Sequence, residues 1–203
     1  MTKIKICGLM KEADIEAVNE AHPDFAGMIL TSGFRRSITK DQASAMKAKL
    51  DPSIQLCGVF VNEPVDSMIS FVKEGIIDVI QLHGSEDNGV IDTLHEALPD
   101  TKIFKAFKVT GEETLKEAEE SHADFVLLDS GTGTGKTFDW SLIQSFPRPY
   151  ILAGGLNPEN VREAIRMLHP YAVDTSSGVE TLGSKDRTRI LAFADEVRKE
   201  EEI

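Results

Sequence analysis

The sequence predicts an α/β fold built on an all-parallel sheet. Short apolar, β-branched runs alternate with amphipathic segments of about 10–15 residues along the chain, the pattern of repeated β–α units. Nearly every run ends on polar or glycine residues, so the polar groups gather at one edge of the sheet. Eight strand-like and eight helix-like segments share 203 residues. That is roughly 25 residues per unit, at the compact end of a (β/α)8 barrel, and an open doubly wound sheet fits the same alternation. No linker or low-complexity stretch divides the chain, so 1–203 reads as a single domain.

Strands are predicted at 3–7, 25–30, 54–61, 78–83, 102–109, 124–129, 150–155 and 171–176. Between them, 11–21, 40–50, 65–73, 88–98, 112–120, 157–168 and 185–198 space their apolar residues by three and four, as one face of a helix requires. Thr39 with Gln42 has the form of a capping box. Asn157-Pro158 places a capping side chain ahead of a proline at the first helical position. The weakest helix is 139–146, short and stopped by Pro147 and Pro149.

Composition excludes several classes. The chain carries 22 basic and 34 acidic residues, a net charge of −12, whereas a nucleic-acid binder needs a basic footprint to displace counterions. Two cysteines, Cys7 and Cys57, are too few for a disulfide framework. No apolar run approaches the roughly 18 residues of a membrane helix, and MTKIKICGLM lacks the apolar stretch of a signal peptide. The expectation is a cytoplasmic protein with no membrane or nucleic-acid partner.

In either parallel architecture, ligands sit outside the carboxyl ends of the strands. Cys7 ends the first run, where a thiol before glycine is a candidate functional group; Cys57, inside its run, reads as core. Asp129 ends an apolar run, where a partly desolvated carboxyl can carry a proton near neutrality. Arg36, Gln81, His83 and Asp174 fall at the same edge and are candidate substrate contacts, with Gln81 and His83 on one strand face. Gly154, Gly155, Ser176, Ser177 and Gly178 follow the seventh and eighth runs. Glycine there lets backbone N–H groups approach an oxyanion, and barrels often bind phosphate on these two loops. SGTGTGKT (130–137) nearly spells a P-loop. Ser130 replaces its first glycine, however, and prolines cut short the helix that should follow. It reads as a glycine-rich loop and a candidate lid.

Six ordered motifs span the chain: KICGL (5–9), GVFVN (58–62), IQLHG (80–84), LLD (127–129) with GTGKTFDW (133–140), LAGGLNPENV (152–161) and DTSSGVE (174–180). In order and spacing the sequence resembles the phosphoribosylanthranilate isomerase family of tryptophan biosynthesis. The resemblance implies a (β/α)8 barrel that rearranges N-(5-phosphoribosyl)anthranilate to 1-(2-carboxyphenylamino)-1-deoxyribulose 5-phosphate. It implies Cys7 as general base, Asp129 as general acid and Arg36 as partner of the anthranilate carboxylate. The family's usual S-P-R is Phe34-Arg35-Arg36 here, which leaves Arg35 as the alternative. Thr132 also stands where the family usually has another glycine. The implied reaction needs no metal and no other cofactor, the implied partner is a small phosphorylated substrate, and the family resemblance points to a monomer.

Overall fold

The computed structural model describes residues 2–129 and 140–200. Eight parallel strands close into a barrel in sequence order: β1 (Lys3–Cys7), β2 (Phe25–Ile29), β3 (Gln55–Phe60), β4 (Val79–Leu82), β5 (Lys102–Lys108), β6 (Phe125–Asp129), β7 (Tyr150–Ala153) and β8 (Ala172–Thr175). Closure is made by β1 against β8, with Lys5 opposite Asp174. This resolves the choice between barrel and open sheet.

Five helices fill the first crossovers: α1 (Glu12–Ala21), α2 (Lys40–Lys47), α3 (Val65–Lys73), α4 (Asn88–Ala97) and α5 (Glu112–Glu119). The Thr39 capping box forms as expected: Gln42 N–H donates to Thr39 Oγ1 at 3.2 Å, and Thr39 N–H donates to Gln42 Oε1 at 2.8 Å. The predicted helix at 139–146 is reduced to a 3₁₀ turn, Trp140–Leu142, since the prolines behind it leave no room for further turns. Helix α6 (Val161–Leu168) starts later than predicted. Asn157 instead accepts from Glu159 N–H at 2.9 Å and Asn160 N–H at 3.1 Å, a local turn ahead of the helix. Between β8 and α7 (Arg187–Lys199) a small antiparallel hairpin pairs Glu180–Thr181 with Ser184–Lys185. Its tip, Leu182-Gly183, has φ of +50° and +78°. Both central residues of a tight hairpin turn take this left-handed form, usually with Asn or Asp first. Leucine in that place hid the turn from the sequence pattern.

Alternation decides what fills the barrel. Phe25, Cys57, Val79, Phe104, Leu127, Ile151 and Ala172 form a buried inner cluster, which confirms Cys57 as core. Its floor is aromatic: Phe25 meets Phe104 edge-on with centroids 5.4 Å apart, Phe104 meets Phe125 at 5.7 Å, and Phe125 stacks on Tyr171 at 4.1 Å. The outward faces pack on the helices in a larger apolar layer. Residue 5, the third of β1, breaks the inner apolar pattern with a fully buried lysine.

Candidate active site

Apart from Arg35, the alternative to Arg36, and the 130–137 loop, every candidate residue named from the sequence lines one cavity of about 380 Å³ at the carboxyl ends of the strands. Cys7, at the end of β1, is 8% exposed. Its neighbour across the β1–β2 ladder is Gly27, where a Cβ would stand 2.6 Å from the Cys7 sulfur. Only glycine leaves the thiol its place. The phosphate-type turns lie on the same rim. Gly154 and Gly155 have φ of +91° and +70°, and a Cβ on Gly178 would sit 1.9 Å from the Leu156 carbonyl oxygen. The loops after β7 and β8 are thus in direct contact, and Thr175 Oγ1 ties them again by donating to Leu156 O at 2.7 Å.

Beneath the cavity, Lys5 Nζ donates to Asp174 Oδ1 at 2.9 Å. Burial disfavours the Lys5 charge, but its charged surroundings, the Asp174 carboxylate foremost, outweigh it and raise its pKa, so the ammonium persists. His83 goes the other way: burial lowers its pKa against the pull of Asp129, so it is neutral at neutral pH. Gln81 Nε2 donates to His83 Nδ1 at 3.1 Å. The ring proton is then on Nε2, which lies 3.9 Å from Asp129 Oδ2. The other amide atom of Gln81, Oε1, is buried with no hydrogen-bond partner among the described residues, at the wall of the cavity that Gln81 lines.

The two arginines of the β2–α2 loop diverge. Arg36 lines the cavity and its Nε donates to Glu180 Oε1 at 2.7 Å. Arg35 turns to the hairpin, donating to Gly183 O at 2.8 Å and Glu180 Oε2 at 2.9 Å. Lys185 Nζ donates to Glu180 Oε1 at 3.0 Å and to Ser176 O at 2.7 Å. Burial would raise the Glu180 carboxyl, but Arg36, Arg35 and Lys185 hold its pKa at about 2. Sequence reasoning missed Gly27, Glu180 and Lys185. Glu180 closes the DTSSGVE motif, but nothing in the chain order indicates that it meets residue 36. The 130–137 loop lies outside the described residues.

A larger cleft of about 570 Å³ opens beside α4 and α5. Its buried Lys105 is already engaged, donating to Gly84 O at 2.7 Å and Glu86 Oε2 at 3.2 Å. Neither cysteine, neither glycine turn and neither Asp129 nor Asp174 lines it.

Fold and cavity together define a class: a (β/α)8 barrel whose acid- and thiol-bearing cavity lies at the carboxyl ends of its strands, where such barrels carry out chemistry. Residues 4–196 match the family model described as N-(5'-phosphoribosyl)anthranilate (PRA) isomerase. The N-(5'-phosphoribosyl)anthranilate isomerase of Endomicrobium trichonymphae is 43% identical over 196 residues, covering 94% of this chain and 96% of the relative. The crystal structure of phosphoribosyl anthranilate isomerase from Thermotoga maritima superposes with a TM-score of 0.90 at 34% identity, covering 98% of this chain and 100% of the other. A second isomerase structure, in complex with reduced 1-(o-carboxyphenylamino)-1-deoxyribulose 5-phosphate, gives a TM-score of 0.87 at 33% identity, with 98% and 100% covered. The chain belongs to the N-(5'-phosphoribosyl)anthranilate isomerase family.

Proposed function

We propose that this chain isomerises N-(5'-phosphoribosyl)anthranilate to 1-(2-carboxyphenylamino)-1-deoxyribulose 5-phosphate in tryptophan biosynthesis, with Cys7 as general base and Asp129 as general acid. The observation that carries the reading is the single cavity in which a thiol, a carboxyl, an arginine and two glycine turns meet.

Asp129 gives a proton to the furanose ring oxygen, the C1–O bond breaks, and the anilino nitrogen takes up the positive charge as an iminium. That cation acidifies C2–H. Cys7 removes the proton, and the electron pair neutralises the iminium as an enolamine. Loss of the C2 hydroxyl proton and protonation at C1 then leave the ketone. Each proton-transfer group contributes about 10²–10⁴-fold. The Lys5 ammonium, two residues back on the same strand face, interacts electrostatically with Cys7. Neutral His83 leaves the acid role to Asp129, and its Nε2–H faces that carboxyl.

Arg36 receives the anthranilate carboxylate, and Gly154, Gly155 and Ser176–Gly178 receive the phosphate. Gln81 and Asp174 contact the sugar between them. The protein acts in the cytoplasm as a monomer, which light scattering tests. Among the described residues, no helix is long and apolar enough to cross a membrane. The decisive assay is turnover of freshly made phosphoribosylanthranilate, followed by loss of its anthranilate fluorescence. Binding without turnover would reduce the chain to a sugar-phosphate-binding module.

A further inference from the structure

We infer that Glu180, which does not line the cavity, is the positioning residue for Arg36 and so sets affinity for the substrate's ring carboxylate. The inference rests on the activity proposed above.

The Arg36 side chain is 19% exposed, whereas Glu180 is only 6% and Lys185 only 1% exposed, so the anchor is buried and the arginine faces open space. A guanidinium has five donors in a fixed fork. Among the described residues, Arg36 gives only Nε to protein, at 2.7 Å from Glu180 Oε1. That bond directs one edge of the fork at the hairpin and leaves the two terminal nitrogens for a carboxylate. Gly8 clears the path: a Cβ there would stand 2.7 Å from Arg36 Cδ and 2.9 Å from Ser176 Oγ. Arg36 therefore passes close over the end of the strand that carries Cys7.

Glu180 is itself held from two further sides, by Arg35 and Lys185. Three cations surround one carboxylate, leaving local positive charge on a protein whose net charge is −12. Without Glu180, nothing described here fixes the Nε edge, and three like charges would repel one another.

The test is steady-state kinetics of the full chain and Glu180→Gln, with anthranilate and inorganic phosphate as competitive probes of the two substrate ends. KM and the anthranilate Ki should rise at least about fivefold, with kcat and the phosphate Ki within about twofold. In an Arg36→Met background, Glu180→Gln should add nothing further to the anthranilate Ki, because one interaction is not lost twice. Additive losses, equal weakening of both probes, or an unchanged KM would each overturn the inference. Should Glu180→Gln fail to fold, Glu180→Asp, which withdraws the carboxylate from Nε, is read in the same way. A wild-type chain without turnover removes both the activity and this inference. Turnover with an unaltered Glu180→Gln KM removes the inference alone.

Discussion

On β6, Phe125 stacks against Tyr171 in the barrel floor, and Asp129, further along the same face of the same strand, lines the cavity. β8 repeats the arrangement with Ala172 below and Asp174 above, and β4 with Val79 below and Gln81 above. Floor and rim thus share strands and side-chain direction but differ in chemistry. The floor is apolar, aromatic and close-packed, where any lost volume leaves a void. The rim holds thiol, carboxyl, imidazole and guanidinium groups with room for a ligand between them. A strand spends its lower residues on stability and its upper residues on chemistry, so the two properties should respond separately to mutation.

The largest expected effect is at the rim. Cys7→Ala and Asp129→Asn should each lower kcat by at least about 10²-fold with little change in melting temperature. Near-normal turnover by Cys7→Ala would move that thiol into the same category as Cys57. Phe104→Ala is the converse experiment. It should cost about 3–5 kcal/mol in urea unfolding, while kcat per folded molecule stays within about twofold. A Phe104→Ala protein that stays stable but loses turnover would dissolve the division between floor and rim.

Two smaller effects sharpen the rim itself. Arg36→Ala should raise KM about tenfold with a lesser change in kcat, and Arg35→Ala should shift KM by less than about threefold. The reverse ranking would mean that the arginine bonded to Gly183 in the free protein is the one that turns to the substrate. The smallest effect is a pH dependence from His83. Burial lowers its folded pKa below the ordinary 6.5, so the unfolded chain binds the proton more readily. Stability should therefore fall as pH drops below about 6.5, and the fall should end once the folded pKa is passed. His83→Gln, compared with wild type by urea unfolding from pH 8 to pH 5, should remove that part of the slope. A parallel slope in both proteins would place the titration elsewhere.

Sequence could reveal most of the rim because it follows from a local rule. A polar residue at the end of an apolar run falls at the mouth in any parallel sheet, whereas runs buried on both faces do not say which of their residues point inward. Hence Cys7, Asp129, Asp174 and both glycine turns were found without coordinates. Closure was not legible in the same way. It depends on the pairing of Lys3 with Ala172 and Lys5 with Asp174, and no window of the chain contains both partners. The β2–α2 loop resisted for a different reason: Arg35 and Arg36 are adjacent and chemically identical, and only the loop's path sends one inward. Glu180 and Lys185 went unnoticed because Leu182 occupies a left-handed turn position that ordinarily advertises itself with Asn, Asp or Gly. Gly27 was silent because its role is to be absent beside a sulfur on the neighbouring strand.

The Lys5–Asp174 ion pair joins residues 169 positions apart. During synthesis on the ribosome, Lys5 emerges ahead of seven further strands and waits while they are made. A lysine destined for the barrel interior stays hydrated until its counter-charge arrives, because burying an unpaired ammonium is strongly unfavourable. The first strand therefore has reason not to settle early, and docking of β8 becomes the step that both shuts the barrel and neutralises its interior. Long-range closure of this kind is slow, and catalytic competence becomes a late event in the life of each newly made chain.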